Sequence, residues 1–214
     1  MRSRVRFWCG QFLGKHEAPR SPVVTTILNL LNASRWRAAA HTPLFLLGHS
    51  IGEVAAACET GMLTSEGALL TAHGLGRVAS DCHGAMAHAV LTRAEVDAWS
   101  DEALCIAAVN GVARLTQVEV RDAAHELLSV TICGAVERVD GWLDAHVGAG
   151  KLVPPHPWHH PQYNVTESMR DGRALTVLPQ SRVPRAGTAV FVSATTGMPR
   201  VERLDASYWR EWLT

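Results

Sequence analysis

The sequence has no excess of charge of either sign, no long apolar run and no paired-cysteine motif. Its 20 Lys and Arg balance 20 Asp and Glu, so no long-range field favours nucleic acid or an anionic membrane as a partner. No apolar run approaches the roughly 20 residues that cross a bilayer. The 5 cysteines are odd in number and lack a C-x-x-C pair. This spacing argues against a disulfide framework and a structural zinc site, and it is typical of free thiols in a reducing compartment.

These absences predict a cytoplasmic protein with small-molecule or protein partners and no bound metal. Arg2, Arg4 and Arg6 stand among few apolar residues, which argues against a secretory signal and leaves an organelle-targeting segment open. The 214 residues are enough for a substantial core in one domain, or in one domain with an inserted lobe.

Local patterns in the first third of the chain predict a βα unit flanked by helices. The predicted elements are a helix after Pro22 that ends at Thr42-Pro43, a buried strand over 44–47, a helix from Glu53 to near Gly61, and a helix over 68–78 with its cap at 64–67.

The middle of the chain predicts the order β-α-β-β-α-β, with strands over 86–91, 104–109, 129–133 and 152–153 and helices that open at Thr92-Arg93-Ala94-Glu95 and span 136–146. This order is that of the ferredoxin-like, split βαβ arrangement. We therefore expect an α/β fold in which residues 85–151 form a small inserted subdomain, and residues 1–84 and 152–214 form the large one. The stretch 112–128 exceeds a simple connection between strands and predicts a partly helical surface excursion.

The segment Gly48-His49-Ser50-Ile51-Gly52-Glu53, directly after an apolar run, has the form of a nucleophile elbow. In such an elbow the serine stands on a strained turn between a strand and a helix, and glycines allow the close backbone approach. The N-terminal amides of the following helix can stabilise an oxyanion. Ser50 is thus a candidate acyl-carrying nucleophile, and the alternative is a glycine-rich turn with a surface serine.

A second candidate segment is His156-Pro157-Trp158-His159-His160-Pro161-Gln162-Tyr163. Its prolines exclude a helix and favour a rigid, extended segment that can hold an imidazole in one place. With an ordinary pKa near 6.5, a histidine can take a serine proton at neutral pH and return it to a leaving group. A surface histidine-rich loop is one alternative, and a metal site is another, although three histidines without nearby carboxylates make a poor ligand set.

Six motifs, in this order, resemble those of the acyltransferase domains of polyketide and fatty acid synthases, the malonyl/acyl-CoA:acyl carrier protein transacylases. They are Gly48-His49-Ser50-Ile51-Gly52-Glu53, Gly84-Ala85-Met86-Ala87, Ala107-Ala108-Val109-Asn110-Gly111, Val130-Thr131-Ile132-Cys133-Gly134, Trp158-His159-His160-Pro161-Gln162 and Phe191-Val192-Ser193-Ala194-Thr195-Thr196-Gly197, and Leu204-Asp205-Ala206-Ser207-Tyr208-Trp209 also fits. The resemblance implies a hydrolase-like α/β large subdomain with an inserted ferredoxin-like small subdomain. It also implies transfer of an acyl group, often malonyl, from coenzyme A to the phosphopantetheine thiol of an acyl carrier protein.

The resemblance also implies roles for individual residues. Ser50 corresponds to the acylated nucleophile, and His159, rather than His160, corresponds to the general base. The remaining implied residues are Ile51 and Gln11, whose backbone amides correspond to the oxyanion hole, and His49 and His156, which correspond to substrate-contacting positions. The family needs no resident cofactor, because the coenzyme A thioester is the substrate.

One family position departs from the pattern. The arginine that grips the carboxylate of malonyl-type substrates falls on Leu75, and Arg77 lies two residues further on. On a helix two residues are about 200° apart, so Arg77 does not simply replace it. Loss of that charge-assisted contact favours a neutral acyl group, whereas Ile51 and the His156-x-x-His159 spacing resemble malonyl-type members. The substrate prediction is divided between the two.

The resemblance further predicts a domain truncated at both ends. Cys9-Gly10-Gln11 is the nearest counterpart of the family's Gly-Gln-Gly motif, with an arbitrary loop sequence as the alternative. After Tyr208-Trp209 the family continues with a strand and a loop that orients the histidine. Two other classes stay open: a serine hydrolase or thioesterase, with Asp140 or Asp144 as the acid, and a non-catalytic remnant with a carrier-protein surface.

Overall fold

The computed structural model describes residues 20–40, 42–113, 126–146, 148–152, 156–161, 175, 177–184 and 189–214. The chain divides into two compact units, one of Met1–Asp81 with Tyr163–Thr214 and one of Cys82–Gln162. The second predicted boundary, between residues 151 and 152, thus lies earlier than the observed one. The reason lies in the histidine segment, since the His156 Nδ1 is 3.0 Å from the carbonyl oxygen of Cys82 at the start of the second unit.

In the described residues of the first unit, four helices accompany two short parallel strands. Its elements are α1 (Arg20–Ala38), β1 (Phe45–Leu47), α2 (Gly52–Glu59), α3 (Ser65–Ala79), β6 (Val190–Val192) and α6 (Ala206–Leu213), where numbering follows the whole chain. β1 pairs with β6 in parallel, with Leu46 opposite Phe191. The predicted helix after Pro22 is confirmed, but it already begins at Arg20 and so includes Pro22. A proline is tolerated in the first turn because amides there lack intrahelical partners.

Local signals set the ends of α2 and α3. Gly61, just beyond α2, has φ of +76°, a conformation that suits glycine. The Thr64 hydroxyl then accepts a hydrogen bond of 2.9 Å from the Gly67 amide and caps α3. The predicted end near Gly61 and the predicted cap are confirmed, but α3 begins at Ser65, three residues before its predicted start at 68.

The prediction that residues 44–47 form a buried strand is wrong in its burial. The side chains of Phe45 and Leu47 are 59% and 66% exposed. Among the described residues, β1 has a single paired neighbour, the three-residue strand β6. Parallel strands are usually covered on both faces, so this apolar pair departs from the norm. Leu31 and Trp36 of α1 are exposed as well.

The described part of the second unit contains a four-stranded antiparallel sheet and two helices. Its elements are β2 (Ala85–Thr92), α4 (Arg93–Asp97), β3 (Leu104–Val112), β4 (Leu127–Gly134), α5 (Val136–Ala145) and β5 (Gly150–Lys151), and the strands lie in the order β3-β4-β2-β5. The predicted β-α-β-β-α-β order is confirmed. The last strand lies two residues before its predicted position, because Lys151 pairs with Ala87 and Gly150 with His88.

The core of this unit comes from alternate positions of the strands. Buried apolar residues share one sheet face with Val139 of α5; they are Ala85, Ala87, Ala89, Leu91, Leu104, Leu128, Val130 and Ile132. The capping box at α4 is confirmed, since the Thr92 hydroxyl and amide exchange hydrogen bonds with Glu95. The predicted excursion at 112–128 falls largely outside the described residues, while Val112 belongs to β3 and Leu127 to β4.

The described elements establish an α/β fold. Within the ranges given above, none of the helices has both the length and the apolar character to span a bilayer. In the same part of the chain, no three histidine, cysteine or acidic side chains group as a metal site would require.

Candidate active site

Ser50 stands at the turn between β1 and α2, as the elbow pattern predicts. Its φ is +51°, in the left-handed region that a residue with a side chain rarely occupies. Such a conformation costs on the order of 1 kcal/mol and persists only where surrounding bonds hold it. Two of these bonds run from the Gly52 amide to the His49 carbonyl (3.0 Å) and from the Glu53 amide to the Ser50 carbonyl (2.9 Å).

The two elbow glycines have different roles. A Cβ built on Gly48 would lie 2.0 Å from the carbonyl carbon of Gly52, so a side chain there would force the Gly52 backbone to move. A Cβ on Gly52 would meet only the Asn29 amide nitrogen at 3.8 Å, an ordinary contact distance. Close backbone approach therefore explains the first glycine and not the second.

The start of α2 offers one amide to a ligand. The Gly52, Glu53 and Val54 amides donate to the His49, Ser50 and Ile51 carbonyls. Among the described residues, no acceptor is bonded to the Ile51 amide. This N–H lies directly after Ser50 at the positive end of a helix, where a developing oxyanion is stabilised.

Beneath the elbow, Glu53 is completely buried. Its carboxylate accepts hydrogen bonds from the Ala194 amide and from the Tyr208 hydroxyl, the latter at 2.8 Å. The Tyr208 oxygen also lies 2.9 Å from the Ser193 hydroxyl. One acidic side chain thus joins the first turn of α2 to the loop after β6 and to α6.

Burial raises the pKa of Glu53, and the hydrogen bonds from Tyr208, Ala194, Thr195 and Ser193 partly offset that effect. Burial likewise raises the pKa of Tyr208, so its hydroxyl stays protonated and available as a donor. Sequence reasoning named both residues within motifs and missed their contact. A usable signal was present, since a glutamate within a helix of small apolar residues is rarely buried without partners.

The predicted substrate-contacting residues of this unit differ in exposure. His49 is exposed beside Ser50, whereas Leu75 is completely buried in α3. Arg77 is exposed on another side of α3, as helical spacing requires, and it lines a cleft of about 490 Å³ with His73 and Leu178. The predicted oxyanion residue Gln11 lies outside the described residues.

The histidine segment belongs to the second unit. His156 and His160 are 5% and 6% exposed, whereas His159 between them is half-buried. His159 has φ of +62°, so it occupies a left-handed turn between the buried His156 and the buried His160. A Cβ on Gly84 would lie 2.5 Å from the Gly134 carbonyl oxygen and 2.8 Å from Pro157, which explains the glycine of the Gly84-Ala85-Met86-Ala87 motif.

The groups around His159 have perturbed pKa values. Burial lowers the pKa of His160, and a hydrogen bond with the Ala103 backbone partly offsets this effect. Burial also raises the pKa of the Cys133 thiol to about 12, so this group is a neutral thiol that can donate weakly to the His159 carbonyl, 3.9 Å away. The three histidines therefore differ in solvent exposure, and His159 is the most accessible of them.

The aspartates of α5 do not provide the acid that a hydrolase triad would need. The Asp140 carboxylate is paired with the Lys151 ammonium at 2.5 Å on the surface of the second unit. Asp144 lies on the same helix, and the structure gives neither carboxylate a contact with a histidine of the 156–160 segment.

Sequence and structure comparisons find similar proteins, although no family model matches the sequence. The spectinabilin polyketide synthase system protein NorA' of Streptomyces orinoci is 32% identical over 186 residues, which cover 83% of this chain and 5% of that protein. The acyltransferase domain from the second module of the salinomycin polyketide synthase has a TM-score of 0.69 and 26% identity. This chain is similar to polyketide synthase acyltransferase domains. The match covers 91% of the acyltransferase-like chain and 43% of the salinomycin structure.

A third relative extends the comparison of fold. The malonyl CoA–acyl carrier protein transacylase of Coxiella burnetii has a TM-score of 0.70 with this acyltransferase-like chain, at 17% identity and over 92% of the chain. At that identity the likeness concerns the fold alone. The chain corresponds to 62% of that transacylase and to a small part of the curated synthases.

Proposed function

We propose that this chain is an acyltransferase that moves an acyl group from coenzyme A, through a Ser50 ester, to the phosphopantetheine thiol of an acyl carrier protein. The observation that carries the proposal is the elbow itself. Ser50 stands in a left-handed turn, and the next amide, that of Ile51, has no acceptor among the described residues. The acyltransferase domain of the salinomycin polyketide synthase, which is 26% identical to this chain, supports the reaction class.

In the first half-reaction the Ser50 oxygen attacks the thioester carbonyl while His159 takes the hydroxyl proton. The Ile51 amide stabilises the oxyanion of the tetrahedral intermediate. Collapse of the intermediate breaks the C–S bond, and His159 returns the proton to the departing coenzyme A sulfur. In the second half-reaction the carrier thiol attacks the ester by the same steps in reverse. No resident cofactor or metal enters this scheme.

Exposure supports His159 rather than His160 as the base. A general base must reach its proton at hydrogen-bond distance, and His160 is buried and bonded to the backbone of its own unit. His156 is similarly held by the Cys82 carbonyl. We propose that these two side chains fix the segment, with His156 also bordering the substrate.

For the acyl group we propose a neutral substrate in preference to malonyl. The position that corresponds to the carboxylate-gripping arginine is Leu75, which is apolar and completely buried. Arg77 is on another side of α3. An unpaired malonyl carboxylate beside an apolar wall would lose its hydration without a compensating cation.

We also propose the finer architecture, a hydrolase-like large subdomain with an inserted ferredoxin-like small one. The β-α-β-β-α-β order and the antiparallel strand order β3-β4-β2-β5 of the second unit support the small subdomain. The parallel β1-β6 pair followed by the elbow helix supports the large one.

The test is intact-mass measurement of the chain after incubation with acetyl-CoA, propionyl-CoA or malonyl-CoA, followed by addition of a phosphopantetheinylated carrier protein. We expect an adduct with wild type, none with Ser50→Ala, and its transfer to the carrier. Loss of the acyl group to water at the same rate without a carrier would identify a hydrolase instead. Absence of any Ser50-dependent adduct would identify a non-catalytic remnant.

A further inference from the structure

Glu53 lies three residues after Ser50 and is joined to it by a backbone hydrogen bond. Its amide donates to the Ser50 carbonyl at 2.9 Å, and this bond closes the turn that holds Ser50 at φ of +51°. Movement of the Glu53 backbone therefore changes the conformation of the residue whose hydroxyl would react.

The Glu53 side chain is fastened to two elements that are distant in sequence. One carboxylate oxygen accepts from the Ala194 amide in the loop after β6, and the other accepts from the Tyr208 hydroxyl of α6. That loop is itself a tight turn, closed by the Gly197 amide bonded to the Ser193 carbonyl at 2.8 Å. A buried carboxylate with several donors is held more firmly than an exposed one, because the alternatives leave polar groups unsatisfied.

The Tyr208 ring in turn has two close neighbours. The Arg200 guanidinium lies 4.6 Å from the ring centre, and the Trp209 ring packs edge-on at 5.2 Å. Tyr208 is 1% exposed. The hydroxyl thus has a fixed position from which it can hold the Glu53 carboxylate in place.

We propose that Glu53, held by Tyr208, is a positioning residue that keeps the elbow in its strained form and so sets the reactivity of Ser50. This inference rests on the proposed acyl transfer for its kinetic consequence, but its structural part does not. The contacts link α6 to the nucleophile across the interior of the first unit. Removal of the tyrosine hydroxyl relaxes the turn without removing any group that touches the substrate.

The structural test is amide hydrogen exchange, measured by NMR on wild type, Tyr208→Phe and Glu53→Gln. We expect the Glu53 amide to exchange about 10-fold faster in Tyr208→Phe, because local opening of the turn costs less. The Ala68 amide, bonded to the Thr64 carbonyl at 2.8 Å in α3, is the internal reference and should keep its rate. Equal changes at both amides, or no change at Glu53, would overturn the proposal.

The kinetic test is acyl-enzyme formation by the same variants, with Glu66→Gln as the matched control because Glu66 is an exposed glutamate in the first turn of α3. A positioning role predicts that Tyr208→Phe lowers kcat about 10-fold and leaves KM within about 2-fold. The double variant Glu53→Gln with Tyr208→Phe should be no slower than the worse single variant. A full additive loss, or a loss in KM alone, would contradict the proposal.

The two failures are distinguishable. If wild type forms no adduct with any acyl-CoA, the proposed function fails, while the exchange rates of the Glu53 and Ala68 amides still decide the positioning role. If wild type is acylated and Tyr208→Phe is acylated equally fast with unchanged exchange, only the positioning role fails.

Discussion

At the scale of single residues, the elbow depends on atoms that are missing as much as on those that are present. Gly48 has no space for a Cβ, and Ser50 is held in a backbone conformation that its own side chain disfavours. Each is tolerated because backbone hydrogen bonds and the buried carboxylate of Glu53 hold the segment 48–53 in this conformation. These features give two predictions.

The first prediction concerns the elbow glycines. Gly48→Ala should lower the free energy of unfolding by about 3 kcal/mol, because the added carbon must displace the Gly52 backbone. Gly52→Ala is the matched control and should change it by less than about 1 kcal/mol, since the new methyl finds an ordinary contact. Urea denaturation followed by tryptophan fluorescence measures both, and equal losses would show that the approach at Gly48 is not the constraint.

The second prediction concerns the pH dependence of stability at Glu53. Burial raises the pKa of this carboxyl in the folded protein above its ordinary value of 4.5. The folded state then binds the Glu53 proton more tightly than the unfolded state does. The resulting contribution to the free energy of unfolding is fully present below the pKa of the unfolded state, and it is lost as pH rises through the pKa of the folded state. The free energy of unfolding of wild type should therefore fall relative to that of Glu53→Gln between pH 4.5 and 7. A relative rise over that interval, measured by urea denaturation, would mean that hydrogen bonds outweigh burial.

At the scale of helices and strands, predictions succeeded where the signal is local. The Thr92 and Glu95 capping box, the Thr64 cap and the turn at Gly61 each depend on residues within one turn of chain, and the structure confirms them. The burial of β1 depends on which elements pack over it, and the apolar residues of the strand do not themselves predict those neighbours. β5 is two residues long and is placed by its partner β2, so its own sequence could not locate it.

The third prediction concerns α3 and the substrate. Leu75→Arg should cost about 3 kcal/mol or more of unfolding free energy, because it places an unpaired charge at a completely buried position. Leu75→Met keeps the volume and should cost less than about 1.5 kcal/mol. Thermal unfolding and acyl-CoA loading are measured on the same samples. A stable Leu75→Arg protein that gains malonyl over acetyl loading would show instead that residue 75 faces the substrate.

At the scale of the whole molecule, the candidate nucleophile and the candidate base belong to different units. Ser50 lies in the unit of Met1–Asp81 with Tyr163–Thr214, and His159 lies in that of Cys82–Gln162. Sequence reasoning could assign each from its own motif, because a turn pattern and a proline-bounded histidine are local. It placed the histidine segment in the wrong unit, since its ties to Cys82 and Gly84 join residues more than seventy positions apart.

The fourth prediction separates the two neighbouring histidines. His159→Ala should slow formation of the acyl-enzyme at least about 100-fold, the usual contribution of a general base, and leave the melting temperature nearly unchanged. His160→Ala should mainly lower the melting temperature, because it empties a buried position in the second unit. Stopped acylation reactions analysed by mass, with thermal unfolding alongside, give both quantities. A stable but inactive His160→Ala protein would reverse the assignment.

The left-handed backbone of Ser50 has one more consequence, which concerns selection for heat tolerance. Glycine occupies such a conformation without the steric penalty that a side chain brings. A library screened only for survival at high temperature would therefore be expected to enrich Ser50→Gly. The most heat-tolerant clones would then be those that had lost the only hydroxyl at the turn, so thermostability and acylation must be screened together.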